Sequence, residues 1–269
     1  MENEQLESQC QVVRDSILDM AFRASKGHVG SALSVVEIVV CGLSITRGLG
    51  SDLNSRDRFV LSKGHAASAL YAGLLAQGLL TKEDLETYCV SGSMLATHPL
   101  TQIPGIDFAT GSLGQGITFA VGAALAAKMR ADGGQVFCVL SDSEINEGST
   151  WESFMIASQL RLDNLLVALD YNGQQALGFT NEVLNIGGAP KAIELLGWNV
   201  QRCAGHDVNA LMDSIGNARH SKLPSLIVCD TKSGHGVDYM EEKIEWHYLP
   251  MTQPQYESAK KQIRWENVQ

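Results

Sequence analysis

Two oxygen-bearing side chains, Asp142 and Asn172, each follow an apolar run that is typical of a buried strand. The carboxyl ends of neighbouring parallel strands share one edge of a sheet, so both side chains should face the same ligand. A carboxylate, an amide oxygen and a backbone carbonyl from the following GQQ turn would form half of the octahedral shell that Mg²⁺ requires. The alternative is that Asp142 and Asn172 only cap the turns after their strands, and their spacing leaves both interpretations open.

A glycine-rich turn, FATGSLGQGI, leads into a long Ala-rich segment that ends near Arg130. Small residues allow backbone N–H groups and a helix N-terminus to approach a planar or anionic ligand closely. The same composition occurs in turns that are only packed tightly. The glycines alone therefore do not identify a ligand site.

Four of the seven histidines lie beside glycine, proline or another loop-forming residue, namely His28, His65, His98 and His247. Histidines grouped in loops indicate a polar pocket in which protons can be transferred. Zinc binding is the alternative, but no two of these residues have the spacing of zinc ligands. His206 and His220 lack this context, and we expect both of them at the surface.

Apolar periodicity and composition predict the elements that would carry these groups. Helices are predicted from Leu6 to about 27, over 33–45 and from about 114 to 130, with others near 146–160, 189–197 and 207–219. Thr81 and Asp84 should form a capping box. Strands are predicted at RFVLS, VFCVL, LLVALD, WNVQRC and SLIVCD. The alternation predicts an α/β fold, in which residues 1–269 form one domain around a parallel sheet with helices on both faces.

Composition limits the possible partners. The formal net charge is −10, so nucleic acid and anionic membrane surfaces should be repelled. An anionic small ligand would need local neutralisation, which a divalent cation could supply. No apolar run approaches the roughly 20 residues of a membrane span, and the acidic N-terminus does not resemble a signal peptide. Six scattered cysteines without a C-x-x-C motif should be reduced, so we expect a cytoplasmic protein.

Several motifs together resemble those of a known family. The sequences KGHVGS, DRFVLSKGHAASALYAGLLAQG, THP, ATGSLGQG, D-x-E-x-x-EG-x-x-WE, DYNG and EWH occur in the order found in the thiamine diphosphate domain of transketolases. The similarity extends from about residue 10 to 250, and the chain resembles the N-terminal subunit of a split transketolase. This implies a thiamine-diphosphate-binding fold and the transfer of a two-carbon ketol unit from a ketose (phosphate) to an aldose (phosphate).

The resemblance also implies roles for individual residues. Asp142, Asn172 and the backbone carbonyl of Gln174 would hold Mg²⁺ or Ca²⁺ on the cofactor diphosphate. The catalytic group would be the four loop histidines. His65 and His247 would lie near the diphosphate and the donor sugar, and His28 and His98 would contact the hydroxyls of that sugar. The further cofactor contacts implied are Lys63, Ser112, Leu113, Gly114, Ser143 and Glu147.

A companion subunit is implied as well. In the family, a glutamate that hydrogen-bonds the cofactor aminopyrimidine lies on a separate pyrimidine-binding domain, which we do not find after EWHYLP. We therefore expect an α2β2 heterotetramer in which the companion supplies that glutamate and most contacts to the sugar phosphate. Glu147 and Glu152 would lie at the interface. Without the resemblance, an exposed helix face is the simpler interpretation of these two residues.

The sequence departs from the family at several of these positions. Ser141 and Ser143 flank Asp142 where the family usually has glycines, and a serine held at positive φ would cost roughly 1 kcal/mol or more, although its hydroxyl could donate to a phosphate. Ser233 and His235 replace basic residues of a KGKG-like loop, while Thr97 and Tyr248 stand where glycine is common. Two other hypotheses therefore stay open: ketol or acyl transfer to a non-sugar acceptor, and a partner subunit without catalysis.

Overall fold

The first part of the chain is mainly helical. Helices α1 (Glu2–Ala24), α2 (Val29–Leu33) and α3 (Val36–Ser44) precede strand β1 (Arg58–Leu61), which is followed by α4 (Ala67–Ala76) and α5 (Lys82–Glu86). This computed structural model describes residues 2–51 and 56–265. The predicted capping box is present at α5, where Thr81 Oγ1 accepts from the N–H of Asp84 at 3.1 Å.

The helix predicted over 33–45 begins later, at Val36. The Ser31 carbonyl, which could have continued α2, instead accepts from the side chains of Ser34 and Lys63, each at 3.0 Å. These tertiary contacts interrupt the helical ladder between α2 and α3. A polar turn is thereby placed beneath the ends of the strands.

Five strands form one parallel sheet in the order β1-β2-β3-β7-β6. The strands that join β1 are β2 (Val136–Ser141), β3 (Leu165–Tyr171), β6 (Asn199–Ala204) and β7 (Ser225–Asp230). A small antiparallel hairpin, β4 (Gln174–Gln175) and β5 (Gly178–Phe179), follows β3. The α/β fold with a parallel sheet is confirmed, and all five predicted strands are present.

Helices cover both faces of the sheet, as predicted. The remaining helices are α6 (Gln115–Arg130), α7 (Gly148–Gln159), α8 (Thr180–Val183), α9 (Ala189–Leu195), α10 (Val208–Arg219) and α11 (Gln253–Trp265). The core on one face contains residues of α1, α3, α4, α10 and α11, of which α3 and α10 make the main contacts with the strands, and the core on the other face contains residues of α6, α7 and α9. Successive strand residues alternate between these two cores, as Phe137 and Cys138 do.

Helix α11 was not predicted from the sequence. Ala259 and Ile263 are buried in the core, and α11 is also held to α1 by the stacked rings of Phe22 and Tyr256, with centroids 4.3 Å apart, and by the ion pair of Lys260 with Asp19 at 2.7 Å. Tyr256, Ala259 and Ile263 form a short apolar stripe, which is the sequence signal that could have identified this helix.

Gly42 in α3 provides a test of the packing between this helix and the sheet. A Cβ at this position would lie 2.6 Å from Phe137 Cε1 and 2.7 Å from Phe59 Cε2. Gly42→Ala should therefore lower the free energy of unfolding by about 1–3 kcal/mol, although alanine favours a helix. Gly216→Ala in α10 is the matched control, since its Cβ meets nothing within 4 Å, and it should not destabilise the chain. Equal urea midpoints for the two variants would contradict this packing.

Candidate functional site

Lys63 follows β1 and forms a fully buried ion pair with Asp170 at the end of β3. Its ammonium also donates to the Ser31 carbonyl and to Ser34 Oγ, both at 3.0 Å. All three ammonium hydrogens therefore have partners within the protein. This geometry gives Lys63 a supporting role beneath the site, and the cofactor contact expected from the sequence stays a prediction.

Asp170 is a site residue that the sequence reasoning missed. Besides Lys63, its carboxylate accepts from Ser34 Oγ and Asn172 Nδ2, both at 2.8 Å, and from Thr231 Oγ1. These donors come from the turn before α3 and from the ends of β1, β3 and β7. The sequence did contain a signal for this residue, namely an acidic side chain at the end of the apolar strand LLVALD. A carboxylate buried there requires hydrogen-bond or charged partners from neighbouring loops.

Asp142 is buried directly after β2, with its carboxylate turned toward the loop after β3. Oδ1 accepts from the Asn172 N–H at 3.2 Å, while Oδ2 accepts from the Gly173 N–H at 2.9 Å and from Thr180 Oγ1 at 2.8 Å. Burial and the nearby Asp170 carboxylate raise the pKa of Asp142 to about 7. The carboxylate thus does cap a turn, and Oδ1 keeps a lone pair for a further ligand.

Asn172 and Gln174 lie on the same turn. Asn172 Oδ1 accepts from the Gln174 N–H at 2.9 Å and keeps its second lone pair. Together with the Asp142 carboxylate and the Gln174 carbonyl, this gives a set of hard oxygen donors of the kind that Mg²⁺ or Ca²⁺ prefers. A cation would also offset the desolvation of Asp142.

Within residues 2–51 and 56–265, no cluster of three or more His, Cys, Asp or Glu side chains could hold a metal ion, so a zinc-type site is not found there.

Three of the predicted histidines form a cluster above Lys63. The ring centroids of His28, His65 and His247 lie 4.9–5.5 Å apart. His28 donates its N–H to the His247 carbonyl at 3.1 Å, and it has the left-handed value φ 63°, which costs roughly 1–2 kcal/mol outside glycine. Its Nδ1 is buried without a hydrogen-bond partner. Strain together with an unpartnered polar atom is typical of a functional site.

His98 joins this cluster from the loop after α5. The Tyr71 hydroxyl donates to the His98 carbonyl at 3.0 Å and fixes the loop. The ring lies against the glycine-rich turn, where a Cβ on Gly111 would be 2.7 Å from its Cδ2. The structure therefore brings together all four predicted histidines and one side of the glycine-rich turn.

Burial keeps these histidines neutral. Desolvation lowers the pKa of all four residues, to about 4 for His247 and well below the usual value for His65. Neighbouring histidines and the Lys63 ammonium lower the pKa of His28, His65 and His247 further. At pH 7 the site therefore offers neutral imidazoles, each of which can donate at one nitrogen and accept at the other.

The glycine-rich turn ends at Gly114, immediately before α6. Gly114 has φ 75°, and a Cβ there would lie 2.5 Å from Ser149 Oγ and 2.7 Å from Glu147 Cβ. Tight packing against the start of α7 therefore explains this glycine. Ser112 is exposed and Leu113 half-buried at the N-terminus of α6, where a ligand could approach.

Glu144 is a second residue that the sequence reasoning left without a role. Its carboxylate is fully buried and accepts from Ser62 Oγ, from the Gly114 N–H at 3.1 Å and from the Ser141 N–H at 2.9 Å. The only sequence signal was the central glutamate of the D-x-E-x-x-EG motif.

The serines beside Asp142 are not strained. Ser141 is extended, with φ −107°, and Ser143 lies in a 3-10 turn over Asp142–Asn146 with negative φ. The energetic cost that a positive φ would have imposed on serine does not arise here. Glycine is therefore not required at either position by the backbone of this chain.

The structure also shows the surroundings of Ser233 and Tyr248, two other residues that differ from the family pattern. Ser233 is buried, with its hydroxyl against Gly30, where an added Cβ would lie 2.7 Å away. Tyr248 is 54% exposed, lies beside His247 with ring centroids 5.0 Å apart and donates its hydroxyl to the Ala176 carbonyl. It thereby links the His247 loop to the β4–β5 hairpin.

The expectation that His206 is a surface residue is wrong. His206 is half-buried, its Nδ1 lies 2.9 Å from Glu37 Oε2, and its ring stacks on His235 with centroids 3.6 Å apart. Glu37 also pairs with the buried Arg14, and these residues line a cavity of about 660 Å³. The tertiary approach of α1, α3 and the loops after β6 and β7 creates this cluster, which local sequence context could not indicate.

The Lys63–Asp170 pair generates a stability prediction. Lys63→Met should lower the free energy of unfolding by about 3–5 kcal/mol in urea, because it leaves a buried carboxylate without its cation. Lys128→Met is the control, since Lys128 is 41% exposed in its pair with Asp163 and should change stability by less than about 1 kcal/mol. A fully stable Lys63→Met variant would contradict the supporting role.

The neutral histidines generate a pH prediction. The pKa of His247 falls from 6.5 to about 4 on folding, so the folded chain binds fewer protons and loses stability as the pH drops through this range. His247→Asn should make the decline in urea midpoint between pH 7 and pH 4.5 shallower. His220→Asn, at an exposed position, should keep the wild-type slope. If the His247 variant kept that slope as well, the neutral form would not contribute to stability.

Comparisons with known proteins identify the family to which the chain belongs. The sequence matches the family described as transketolase, thiamine diphosphate binding domain, over residues 7–269. It is 34% identical over 267 residues to an apulose-4-phosphate transketolase subunit of Phocaeicola vulgatus, covering 98% of this chain and 95% of that protein. It is also 34% identical to 6-deoxy-6-sulfo-D-fructose transketolase subunit SqwG of a Clostridium species, covering 98% and 97%.

Solved transketolases have the same fold. The Campylobacter jejuni enzyme superimposes with a TM-score of 0.90 at 28% identity, over 97% of this chain and 43% of the longer one. The chain thus spans about two fifths of the solved transketolases that it matches. It belongs to the transketolase family, within which it carries the thiamine diphosphate binding domain.

Proposed function

We propose that this chain is a subunit of a thiamine-diphosphate-dependent transketolase, which transfers a two-carbon ketol unit from a ketose to an aldose. The observation that carries the proposal is the grouping of Asp142, Asn172 and four neutral histidines at one edge of the sheet. In this proposal residues 1–269 act as one domain. Relatives of nearly the same length that are named as transketolase subunits support it.

The oxygen donors on the turns after β2 and β3 would hold the cofactor. The Asp142 carboxylate, the Asn172 amide oxygen and the Gln174 carbonyl would bind Mg²⁺ or Ca²⁺, and the cation would neutralise the diphosphate within an acidic protein. The half-buried Ser143 hydroxyl could donate to a phosphate oxygen, while Ser112, Leu113 and Gly114 would pass along the ring. When bound, the cofactor supplies the electron sink for the two-carbon unit.

The histidines would orient the ketose and move its hydroxyl protons. A neutral imidazole can accept a proton without first losing one, and the lowered pKa values keep the four histidines in this form at pH 7. The unpartnered Nδ1 of His28 is available to a sugar hydroxyl, and the His98 ring, which lies against Gly111, is close enough to His28 to lower its pKa. His65 and His247 would lie closer to the diphosphate.

A companion subunit would complete the site in an α2β2 heterotetramer. It would supply the pyrimidine-binding domain, the glutamate that contacts the aminopyrimidine, and contacts to the substrate. Half-buried Glu147 begins α7 beside Gly114, and exposed Glu152 follows on the same helix. Exposed apolar side chains on α6 and α7, which would suit an interface, are Phe119, Met129, Met155 and Ile156.

The substrate and the cellular location are further parts of the proposal. The substrates named for the two relatives, apulose 4-phosphate and 6-deoxy-6-sulfofructose, both carry a terminal anionic group, so we expect a ketose of this kind.

All six cysteines are free, which supports the cytoplasm as the location of the protein. No helix in the described part of the chain is long and apolar enough to cross a membrane.

Ketol transfer to a non-sugar acceptor is the second candidate. Tyr248 favours it, because this large exposed side chain lies beside His247 where relatives often have glycine, and it would narrow the acceptor side of the site. Ser233 does not support this candidate, because its side chain is buried and would not contact the acceptor.

Removal of the Asp142 carboxylate tests the cofactor site. Asp142→Ala should abolish thiamine diphosphate binding in the assembled complex, measured by calorimetry with Mg²⁺, because the diphosphate would lose its cation. Asp213→Ala at an exposed position of α10 is the control, and wild-type affinity is expected there. Retention of that affinity by Asp142→Ala would show that the metal assignment is wrong. If the wild-type complex bound no cofactor, the transketolase proposal itself would fail.

A further inference from the structure

We propose that Glu144 is a positioning residue that couples the two ends of the cofactor site, so that occupation of the Asp142 end orders the glycine-rich turn. The proposal rests on the function proposed above. Glu144 would not touch the cofactor itself. It would act through the backbone of the segments that do.

The contacts of Glu144 join three segments that are distant in sequence. Oε1 accepts from Ser62 Oγ, just before the Lys63–His65 segment, and from the N–H of Gly114 at the start of α6, at 3.1 Å. Oε2 accepts from the N–H and the hydroxyl of Ser141, at 2.9 and 3.2 Å, directly before Asp142. A single rigid carboxylate therefore fixes the distance between the cation-binding turn and the turn that would hold the ring.

Because Glu144 is buried, water cannot replace its hydrogen bonds. The Glu144 side chain is fully buried, so each N–H that it binds would lack a partner if the carboxylate were removed. Each carboxylate oxygen of Glu144 already accepts from two protein donors, whereas Asp142 Oδ1 accepts from only one, so Glu144 is the poorer candidate for a cation ligand. A displacement of Asp142 must move Ser141 and, through Glu144, Gly114.

The same contacts give Ser141 a role. Its hydroxyl adds a donor to Glu144 that a glycine at this position could not provide. Its extended backbone would allow either residue. The serine therefore strengthens the attachment of the cation-binding turn to the carboxylate.

Magnesium pyrophosphate is the probe for the test, because it occupies only the diphosphate end. Hydrogen exchange of peptides that cover residues 110–117, measured on the full chain, should slow on binding in the wild type, since the Gly114 amide is held by Glu144. In Glu144→Gln an N–H₂ group replaces one carboxylate oxygen. It would face N–H and O–H donors, so the hydrogen bonds to that oxygen would be lost. We expect magnesium pyrophosphate to bind within about twofold of wild-type affinity but without protection of 110–117.

Affinity for the whole cofactor provides the second readout. In the assembled complex, Glu144→Gln should weaken the binding of thiamine diphosphate by about 10- to 100-fold. This range is typical of residues that orient the groups in direct contact with a ligand. A residue with only a structural role would weaken pyrophosphate and thiamine diphosphate equally. Equal losses, or unchanged protection of 110–117, would overturn the coupling.

Two further variants keep the test interpretable. Ser62→Ala removes one donor to Oε1, and it should reduce the protection of 110–117 even if Glu144→Gln does not fold. Ile17→Val, at a fully buried core position of α1, is the matched control that lowers stability without touching these loops. It should retain full protection. Failure of wild-type chain to bind magnesium pyrophosphate would instead reject the cofactor site, and the coupling with it.

Discussion

The buried ion pair of Lys63 and Asp170 is the constraint on which the arrangement of the site depends. Two charges without water must be surrounded by hydrogen-bond partners, or the pair costs more than it contributes. Asp170 meets this requirement with Ser34, Asn172 and Thr231 in addition to Lys63. Those partners come from four separate segments, so satisfying one carboxylate brings four loops to the same edge of the sheet.

The electrostatic character of the site follows from this pair. The Lys63 ammonium lies beneath the histidines and disfavours a second positive charge on His28, His65 or His247. Asp170 in turn disfavours ionisation of Asp142. A site of neutral imidazoles and one desolvated carboxylate has little attraction for a bare diphosphate. A divalent cation removes this difficulty, because it satisfies Asp142 and the diphosphate at once.

The sequence allowed the strands and most of the helices to be predicted correctly, together with the edge of the sheet at which Asp142 and Asn172 lie. Apolar strands leave a clear pattern, and parallel strands place whatever follows them at one edge. The partners of Lys63, Glu144 and His206 could not be predicted in this way. Their contacts depend on how loops from distant segments approach one another, and no local pattern records that approach. Helix α11 is a different case, because its Tyr256, Ala259 and Ile263 form a short apolar stripe that could have been recognised in the sequence.

The serines beside Asp142 show why a departure from a family motif has to be judged with its neighbours. A glycine pair in such a turn is usually explained by backbone conformation, yet Ser141 is extended and Ser143 has negative φ. Space and conformation therefore permit both side chains. The Ser141 hydroxyl also finds an acceptor in the Glu144 carboxylate three residues later. Serine at the first position is thus compatible with the site, because its hydroxyl takes part in a capping box with both the side chain and the backbone N–H of Glu144.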